Sequence, residues 1–289
     1  MLHLIDQLRL WELVRSSGRA VLYLLPFLLA VYLLEWRGGA DRARYRTRQF
    51  LSDAVYSLFY WGGFYNVFVL AALANALAPR LDALKLNLLA AQPWPVQLVV
   101  FWVLGDFLTY WMHRLQHRWR WLWAFHSVHH TQTQLTSLTG FRRHPVERLF
   151  TDIVVFFGVL QLVLGVQTRQ WLPLTVLITA FQALQHAELD WHYGVLEKLI
   201  VSPTFHAIHH SPEARHYDRN YGQLLSVWDF LFGTAAEDPR PTRYGVEGLD
   251  MKESVVHQLA APFRYLWRGY TVPPASSKET TRKSGKRGS

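Results

Sequence analysis

The chain of 289 residues contains no cysteine. Disulfide bonds, iron–sulfur clusters, thiolate-ligated haem and cysteine-bound zinc are therefore excluded from its chemistry. Charged residues are scarce as well, at 18% of the chain, where about 25% is usual in soluble proteins. Hydrophobic residues make up 51% of the chain, and apolar blocks alternate with strongly basic ones. This alternation predicts a protein that crosses a membrane several times.

Several common functional motifs are also missing. The sequence has no HExxH zinc-peptidase motif, no glycine-rich phosphate loop and no Gly-x-Ser-x-Gly nucleophile elbow. The formal charge of +9 does not favour a nucleic-acid partner, because the basic residues are interleaved with apolar stretches of spanning length. Positive charge on the cytoplasmic loops of a membrane protein explains it better.

The apolar stretches predict an all-α integral membrane protein with about four or five transmembrane or re-entrant helices. The predicted spans are 20–36, 50–78, 94–112 and the two arms of a hairpin, 149–164 and 171–187. Arginine-rich segments at 37–48 and 114–148 mark one side as cytoplasmic, and the two spans between them are consistent with a shared face. The hairpin returns to that face, where a helical cap is expected to hold the functional site.

This pattern divides the chain into five predicted regions. They are an amphipathic interfacial helix (1–19), a transmembrane region (20–104), a catalytic domain (105–240), cytoplasmic cap helices (241–270) and a disordered basic tail (271–289). A bacterial inner membrane is favoured over the endoplasmic reticulum by the absence of cysteine and the richness in leucine, alanine and arginine.

Histidine is the plentiful ligand type in this chain. Eight histidines fall into repeated spacings: His113 and His117, then His126, His129 and His130, then His206, His209 and His210. Residues at i, i+3 and i+4 share a helix face, so each triplet is expected to aim its three imidazoles at one point. Since one ion takes at most about six ligands, eight imidazoles predict two metals. An all-nitrogen set suits iron, zinc, copper or nickel rather than calcium or magnesium.

Other histidines are weighed singly. His186 ends an apolar stretch, where an ionisable group is costly, and is predicted to be a ninth ligand with Asp190 holding its other nitrogen. His144 precedes a proline near the membrane; a structural or substrate-facing role is favoured, and metal ligation is the alternative. Isolated histidines are expected to be ordinary solvated or hydrogen-bonded residues: His3, His192, His216 and His257.

The ordered motifs resemble the fatty acid hydroxylase/sterol desaturase superfamily of integral membrane oxygenases. They are GDFLTYWMHRLQH (105–117), FHSVHH (125–130), RRHPVE (142–147), QHAEL (185–189), FHAIHH (205–210) and NYGQLLSVWDFLFGT (220–234). The resemblance implies two non-haem iron ions at the cytoplasmic membrane face, held by the eight patterned histidines and His186. It also implies O2 as co-substrate and hydroxylation or desaturation of a lipid C–H bond.

The electron donor is expected to be a separate protein, of ferredoxin or cytochrome b5 type with its reductase. Four polar residues within the matched motifs are the candidates for a catalytic role beside the metal ligands, by orienting and tuning them: Asp106, Tyr110, Asn220 and Asp229. A helix cap or a salt bridge is the alternative explanation for Asp229.

Two other classes of function stay open. A zinc-dependent membrane hydrolase or isomerase would need a carboxylate base beside the metals, and Glu188 and Glu213 are the nearest choices in sequence. The other class is a non-catalytic membrane protein, such as a metal carrier or a bis-histidine haem protein. Haem would need only about two to four histidines on opposed spanning helices, whereas these are expected to lie in loops at the membrane face.

Overall fold

The computed structural model describes residues 10–61, 64–65, 69, 82–165, 171–246, 249, 251 and 254–268. Regular structure in these ranges is helical, apart from one isolated antiparallel bridge between Ile200 and Leu225. The all-helical prediction is therefore confirmed for the described residues. Their nine α-helices are α1 (Leu10–Arg37), α2 (Arg48–Trp61), α3 (Trp94–Arg118), α4 (Arg120–His130), α5 (Pro145–Thr151), α6 (Trp171–His186), α7 (Pro203–His209), α8 (Val227–Phe232) and α9 (Val255–Trp267).

The N-terminal helix is longer than the sequence suggests. Residues 10–19 continue without a break into the predicted span 20–36, so the structure shows one helix where two are predicted. Pro26 lies inside this helix, and leucines at 22, 25 and 29 are exposed on its surface. Residues 1–9 of the predicted interfacial helix lie outside the described residues, as do the predicted tail 271–289 and most of 62–78.

Among the described residues, α3 is the one helix long and apolar enough to cross a membrane. Pro93 and Pro95 flank its first residue, which suits proline because the first amides of a helix need no intrahelical partner. The helix runs past the predicted end at 112, so His113 and His117 lie on its last turns. Trp119 has extended backbone angles and separates α3 from α4, which folds back against it.

The predicted hairpin 149–164 and 171–187 is helical in both arms. Its first arm continues from α5 as a π-helix over Asp152–Val163, a wider winding that the apolar sequence does not indicate. The π-helix packs on α3 through a core of Phe101, Met112, Val155, Leu160 and Leu164. The second arm, α6, packs against α1 and ends at His186.

Two short helices start where the sequence provides strong signals. Ser202 caps α7 by accepting the amide hydrogen of Phe205 at 3.0 Å, and Pro203 follows at the first helical position. His144 caps α5 in the same way, with Pro145 next. Because α7 packs on α6 and α4 packs on α3, all the patterned histidines come to one region.

Candidate metal centre

Nine buried histidines come together from four helices. His113 and His117 lie on α3, the triplet at 126–130 on α4, His186 at the end of α6, and the triplet at 206–210 on or directly after α7. Each of the nine is less than a tenth exposed. The structure thus brings together all the residues predicted as metal ligands; their role as ligands stays a prediction.

The nine form two clusters, each with its candidate ligand atoms within 4.8 Å of one another. The first, here called the five-histidine cluster, contains His113, His117, His126, His130 and His209. The second, the four-histidine cluster, contains His129, His186, His206 and His210.

The expectation that each triplet aims at one point is wrong. In α4, His126 and His130 belong to the five-histidine cluster and His129 to the other. In α7 the assignment is reversed, since His206 and His210 join the four-histidine cluster and His209 the first. The reason is angular: residues i and i+4 point about 40° apart, while i+3 points about 60° to the other side. Both helices therefore serve both clusters.

The imidazole nitrogens point at one another within each cluster. Nε2 of His126 lies 3.1 Å from Nε2 of both His113 and His130. In the other cluster Nε2 of His206 lies 2.9 Å from that of His186 and 3.3 Å from that of His210. Ligands on adjacent corners around an ion at about 2.1 Å are roughly 3 Å apart, so these spacings fit metal coordination.

Burial disfavours the protonated form of several of these imidazoles. Burial and the neighbouring histidines hold the pKa of His129, His130, His206 and His210 well below the ordinary value. Burial also lowers the pKa of His209 to about 3. Nε2 of His209 and Nε2 of His117 are buried and have no hydrogen-bond partner among the described residues. Unpartnered lone pairs in this setting are costly without a cation, so the residues fit a bound metal.

Backbone carbonyls fix which nitrogen faces the cluster. Nδ1 of His113 donates to the carbonyl of Tyr221 at 2.8 Å, and Nδ1 of His209 donates to that of Arg219 at 2.8 Å. Nδ1 of His186 donates to the carbonyl of Gln182 at 2.7 Å. Because each Nδ1 carries the proton, each Nε2 presents its lone pair inward.

His126 has a carboxylate partner that sequence reasoning missed. Nδ1 of His126 lies 2.9 Å from Oε1 of Glu147 on α5, and both side chains are 2% exposed. Burial alone would raise the pKa of Glu147, but His126 and Arg143 outweigh it and hold the pKa below the ordinary value. Glu147 is the third residue of a helix, where glutamate has an ordinary capping explanation. Glu147 is 21 residues from His126 along the chain, so the sequence alone did not indicate that the two side chains are in contact.

The four predicted catalytic residues bond to backbone groups or to side chains outside the two clusters, and none of their hydrogen bonds within the described residues is with a histidine ring. Asp106 accepts from the amides of Leu224 and Leu225, at 2.9 and 3.1 Å. Asp229 accepts from the amides of Tyr221 and Gly222, at 2.8 and 2.7 Å, and so fixes the segment whose Tyr221 carbonyl holds His113.

Tyr110 and Asn220 fix the same segment from its other side. The hydroxyl of Tyr110 lies 2.9 Å from that of Thr234. Asn220 has a positive φ of 57° and donates its amide to the carbonyls of Phe205 and Ala236. All four residues therefore hold the chain between 220 and 236, which includes the Tyr221 carbonyl bound to His113, and their catalytic role stays a prediction.

A buried ion pair connects α4 to α2. Arg142 Nη1 contacts Asp53 Oδ1 on α2 at 3.2 Å, with both side chains almost fully buried. Arg142 Nε also donates to the carbonyl of Val128 at 3.0 Å, between His126 and His129. The predicted span 50–78 contained Asp53 as an unexplained polar residue, and the structure gives it this partner.

Gly140 allows a close approach to the four-histidine cluster. A Cβ atom at this position would lie 3.0 Å from Nδ1 and 3.3 Å from Cε1 of His186. Any larger residue would therefore push on the ring of His186. The sequence alone gives no reason to single out this glycine.

His144 and His192, outside both clusters, have ordinary partners, while His3 lies outside the described residues. Nδ1 of His144 accepts the amide of Val146 at 3.1 Å, and its Nε2 donates to the carbonyl of Leu259 at 3.0 Å. His192 is half-exposed beside Asp190 and Glu197. Asp190 does not hold His186, whose Nδ1 is bound to the carbonyl of Gln182; Asp190 accepts instead from the hydroxyl of Thr204 at 3.1 Å.

The carboxylates suggested for a zinc hydrolase have arginine partners. Glu188 lies 3.1 Å from Arg44 and 3.3 Å from Arg240. Glu213 lies 2.9 Å from Arg215, and its side chain is 45% exposed. These contacts use each carboxylate in an ion pair rather than as a base at the clusters.

Comparison with known proteins finds similarity in the same region. Residues 98–234 match the family model described as fatty acid hydroxylase. This range includes all nine clustered histidines, Glu147 and the segment up to Thr234. No solved structure matches the chain.

Three curated relatives illustrate the similarity. An ornithine lipid hydroxylase, OlsE, of Rhizobium tropici is 33% identical over 59% of this chain and 52% of its own length. An alkylglycerol monooxygenase of Danio rerio is 30% identical over 49% of this chain and 31% of its own. A very-long-chain aldehyde decarbonylase of rice, GL1-8, is 33% identical over 56% of this chain and 58% of its own. The chain thus spans between 31% and 58% of the lengths of these relatives.

Proposed function

We propose that the chain is a membrane-bound di-iron oxygenase that hydroxylates a lipid, which the match of residues 98–234 to the fatty acid hydroxylase family model supports. The reaction inserts one oxygen atom of O2 into a C–H bond and reduces the other to water, using two electrons and two protons from outside. Desaturation of the same bond is the alternative outcome at this site. The named relatives include an ornithine lipid hydroxylase and an alkylglycerol monooxygenase, which supports a lipid as substrate.

The observation that carries the proposal is the pair of buried histidine clusters. One ion in each cluster would use all nine imidazoles, and nitrogen ligands suit iron. When bound, the two irons supply the O2 activation and C–H cleavage that no amino-acid side chain can perform. The protein's residues hold, orient and shield that centre.

The histidine rings are oriented by hydrogen bonds to their Nδ1 atoms and by the packing of a neighbouring aromatic ring. Backbone carbonyls hold His113, His186 and His209 with Nε2 inward, and Glu147 does the same for His126. Tyr221 packs its ring near those of His117 and His113, at centroid distances of 5.1 and 5.5 Å, and so covers one side of the five-histidine cluster. Burial of the whole set excludes water from reactive species.

The site lies where a membrane lipid can reach it. His113 and His117 are on the last turns of α3, the helix long and apolar enough to span a membrane. A lipid in the bilayer can therefore present a C–H bond to the clusters without leaving the membrane. We place the chain in a bacterial inner membrane as a multi-pass protein with the site on the cytoplasmic side, because the arginines at 114–148 favour that side. A ferredoxin or cytochrome b5 type protein with its reductase is the proposed electron donor.

The test is lipid analysis of cells that express the full chain under 18O2. A lipid that gains one labelled oxygen is the expected product, and an unlabelled product with one new double bond would indicate desaturation instead. His129→Ala and His209→Ala each remove one member of a different cluster and are expected to abolish the product while the protein still inserts.

The matched control is His192→Ala, which alters a half-exposed histidine outside both clusters and is expected to keep the activity. Full activity in either cluster variant, or an O2-independent product with zinc-loaded protein, would contradict the proposal.

A further inference from the structure

The C-terminal helix α9 has one face fixed to the metal-bearing part of the protein. The carbonyl of Leu259 accepts a hydrogen bond from His144, and Gln258 accepts one from Ser52 of α2 at 3.0 Å. Leu259 and Ala261 pack with Val128 of α4 in a shared apolar cluster. These contacts fix the direction in which the opposite face points.

The outward face of α9 carries a row of apolar side chains. Val256 is 77% exposed and Trp267 is 91% exposed. Phe263 between them is 52% exposed, and its ring also packs edge-on against Phe125 of α4 at a centroid distance of 5.2 Å. Positions i, i+7 and i+11 fall within about 40° of one another around a helix, so the three form one strip roughly 16 Å long. We call Val256, Phe263 and Trp267 the outer row of α9.

The surroundings of the outer row are basic. α9 contains no aspartate or glutamate, and Arg264 and Arg268 are exposed beside the row. Arg264 contacts the ring of His257 at 3.2 Å. The sequence after α9 adds five basic residues against one acidic residue: Lys278, Arg282, Lys283, Lys286 and Arg287 against Glu279.

An apolar row flanked by arginines matches the surface of a lipid bilayer with anionic headgroups. Aromatic and aliphatic side chains gain roughly 25 cal/mol for each Å² removed from water, and tryptophan favours the interface in particular. Arginines beside the row would lie at the level of the phosphates. A protein partner would instead need acidic groups to match these arginines around an apolar centre.

We infer that α9 lies in the plane of the membrane interface, with its outer row among the acyl chains and its arginines on anionic headgroups. This differs from the cytoplasmic cap expected for 241–270. Since α9 packs on α4, the helix carrying His126, His129 and His130, the attachment fixes the depth of both clusters relative to the bilayer. The inference concerns a surface and does not depend on which reaction the clusters perform.

The absence of cysteine makes a direct test possible, because single cysteines can be introduced and spin-labelled. The full chain is reconstituted in nanodiscs of phosphatidylcholine with phosphatidylglycerol, and Val256→Cys and Trp267→Cys are compared with Arg215→Cys. Arg215 is 58% exposed in a network with Glu213 and Asp238, away from α9. The measurement is the relaxation of each label by O2, which concentrates in acyl chains, against a water-soluble nickel chelate.

The expected result is an O2-to-nickel accessibility ratio several-fold higher at 256 and 267 than at 215. A ratio at 256 and 267 as low as at 215 would place the outer row in water and overturn the inference. Dipolar broadening between labels would overturn it too, by showing a second copy on this face.

A second comparison tests how much the arginine charges contribute to the position of α9 at the membrane. Replacing phosphatidylglycerol by phosphatidylcholine, or introducing Arg264→Gln with Arg268→Gln, is expected to lower the ratio at 267. Equal ratios in both lipids and in both proteins would overturn the assignment to anionic headgroups. None of these measurements requires bound metal or oxygen chemistry, so their failure is distinct from failure of the proposed oxygenase function.

Discussion

At the scale of single residues, the orientation of a histidine ring depends on the group that binds its Nδ1 atom, the nitrogen that faces away from the cluster. Three clustered rings use backbone carbonyls for this purpose: His113, His186 and His209. His126 uses the carboxylate of Glu147, which adds a negative charge 2.9 Å from a ligand ring. A carboxylate makes the imidazole a stronger donor to a cation, so Glu147 is the residue whose change separates charge from geometry.

Glu147→Gln keeps the side-chain shape and removes the charge. We expect iron affinity to fall about 10–100-fold, because groups that hold ligating histidines typically contribute that much. Affinity is measured by titrating iron(II) into protein stripped of metal. Glu213→Gln, at a partly exposed glutamate paired with Arg215, is the matched control and is expected to bind iron normally. Equal affinities for the two variants would refute the role of Glu147.

His144 makes stability depend on pH. Burial lowers its pKa below the ordinary value of about 6.5. The folded state therefore binds fewer protons than the unfolded state between the two pKa values. Its contribution is fully present above pH 6.5 and is lost as pH falls below it, by at most about 1.4 kcal/mol per pH unit.

The check is thermal unfolding of the metal-loaded protein between pH 8 and 5, as wild type and as His144→Asn. Asparagine can accept from Val146 as a helix cap but does not titrate. A shallower fall in Tm below pH 6.5 is expected for the variant. Parallel curves would show that protonation of His144 does not govern this range.

At the scale of the elements, α4 and α7 matter because each supplies ligands to both clusters. Their positions are fixed by contacts from outside the histidine motifs. Gly140 lets the turn Thr139–Phe141 approach His186, and the Arg142–Asp53 pair joins α4 to α2. Changes in these supports are expected to alter the clusters without touching a histidine.

Gly140→Ala tests the close approach. The added Cβ would sit 3.0 Å from Nδ1 of His186, so the ring must shift by a few tenths of an ångström. We expect weaker metal binding in the four-histidine cluster, seen as partial loss of one of two metals after dialysis. Gly18→Ala, where a Cβ meets nothing within 4 Å, is the control. Full retention of metal in Gly140→Ala would contradict this account of the site.

Removing Arg142 tests the buried pair. Arg142→Met leaves the carboxylate of Asp53 buried without its cation, which typically costs about 3–5 kcal/mol. The double variant with Asp53→Leu removes both charges and is expected to recover most of that loss. Denaturant unfolding of wild type, Arg142→Met, Asp53→Leu and the double variant measures the coupling free energy between Arg142 and Asp53. A double variant as unstable as the single one would show that the pair is not the cause.

Much of this arrangement could be read from the sequence, because spacing along a helix directly encodes a shared face. The repeated spacing of eight histidines and the apolar position of His186 are sufficient to identify all nine clustered residues. The partition between clusters was not predicted, since it depends on how α4 and α7 face each other. Glu147, Gly140 and Asp53 were missed because their roles exist only through contacts with distant residues. The π-helix at Asp152–Val163 has no distinct apolar pattern and reads as an ordinary helix.

At the scale of the whole molecule, the two clusters form a single unit because they share two helices. α4 and α7 link them, and α3 and α6 complete one cluster each. His113 and His117 lie on the last turns of α3, the described helix that is long and apolar enough to span a membrane. The proposed function therefore requires two metals in one chain, close together and next to lipid.

The most direct test of that claim is the iron content of the purified full chain, with Mössbauer spectra of protein expressed in 57Fe. We expect about two irons per chain, one in each cluster. His117→Ala and His206→Ala should each reduce the content, since they belong to different clusters. Stoichiometric zinc under iron-replete expression, or full iron content in both variants, would contradict the central claim.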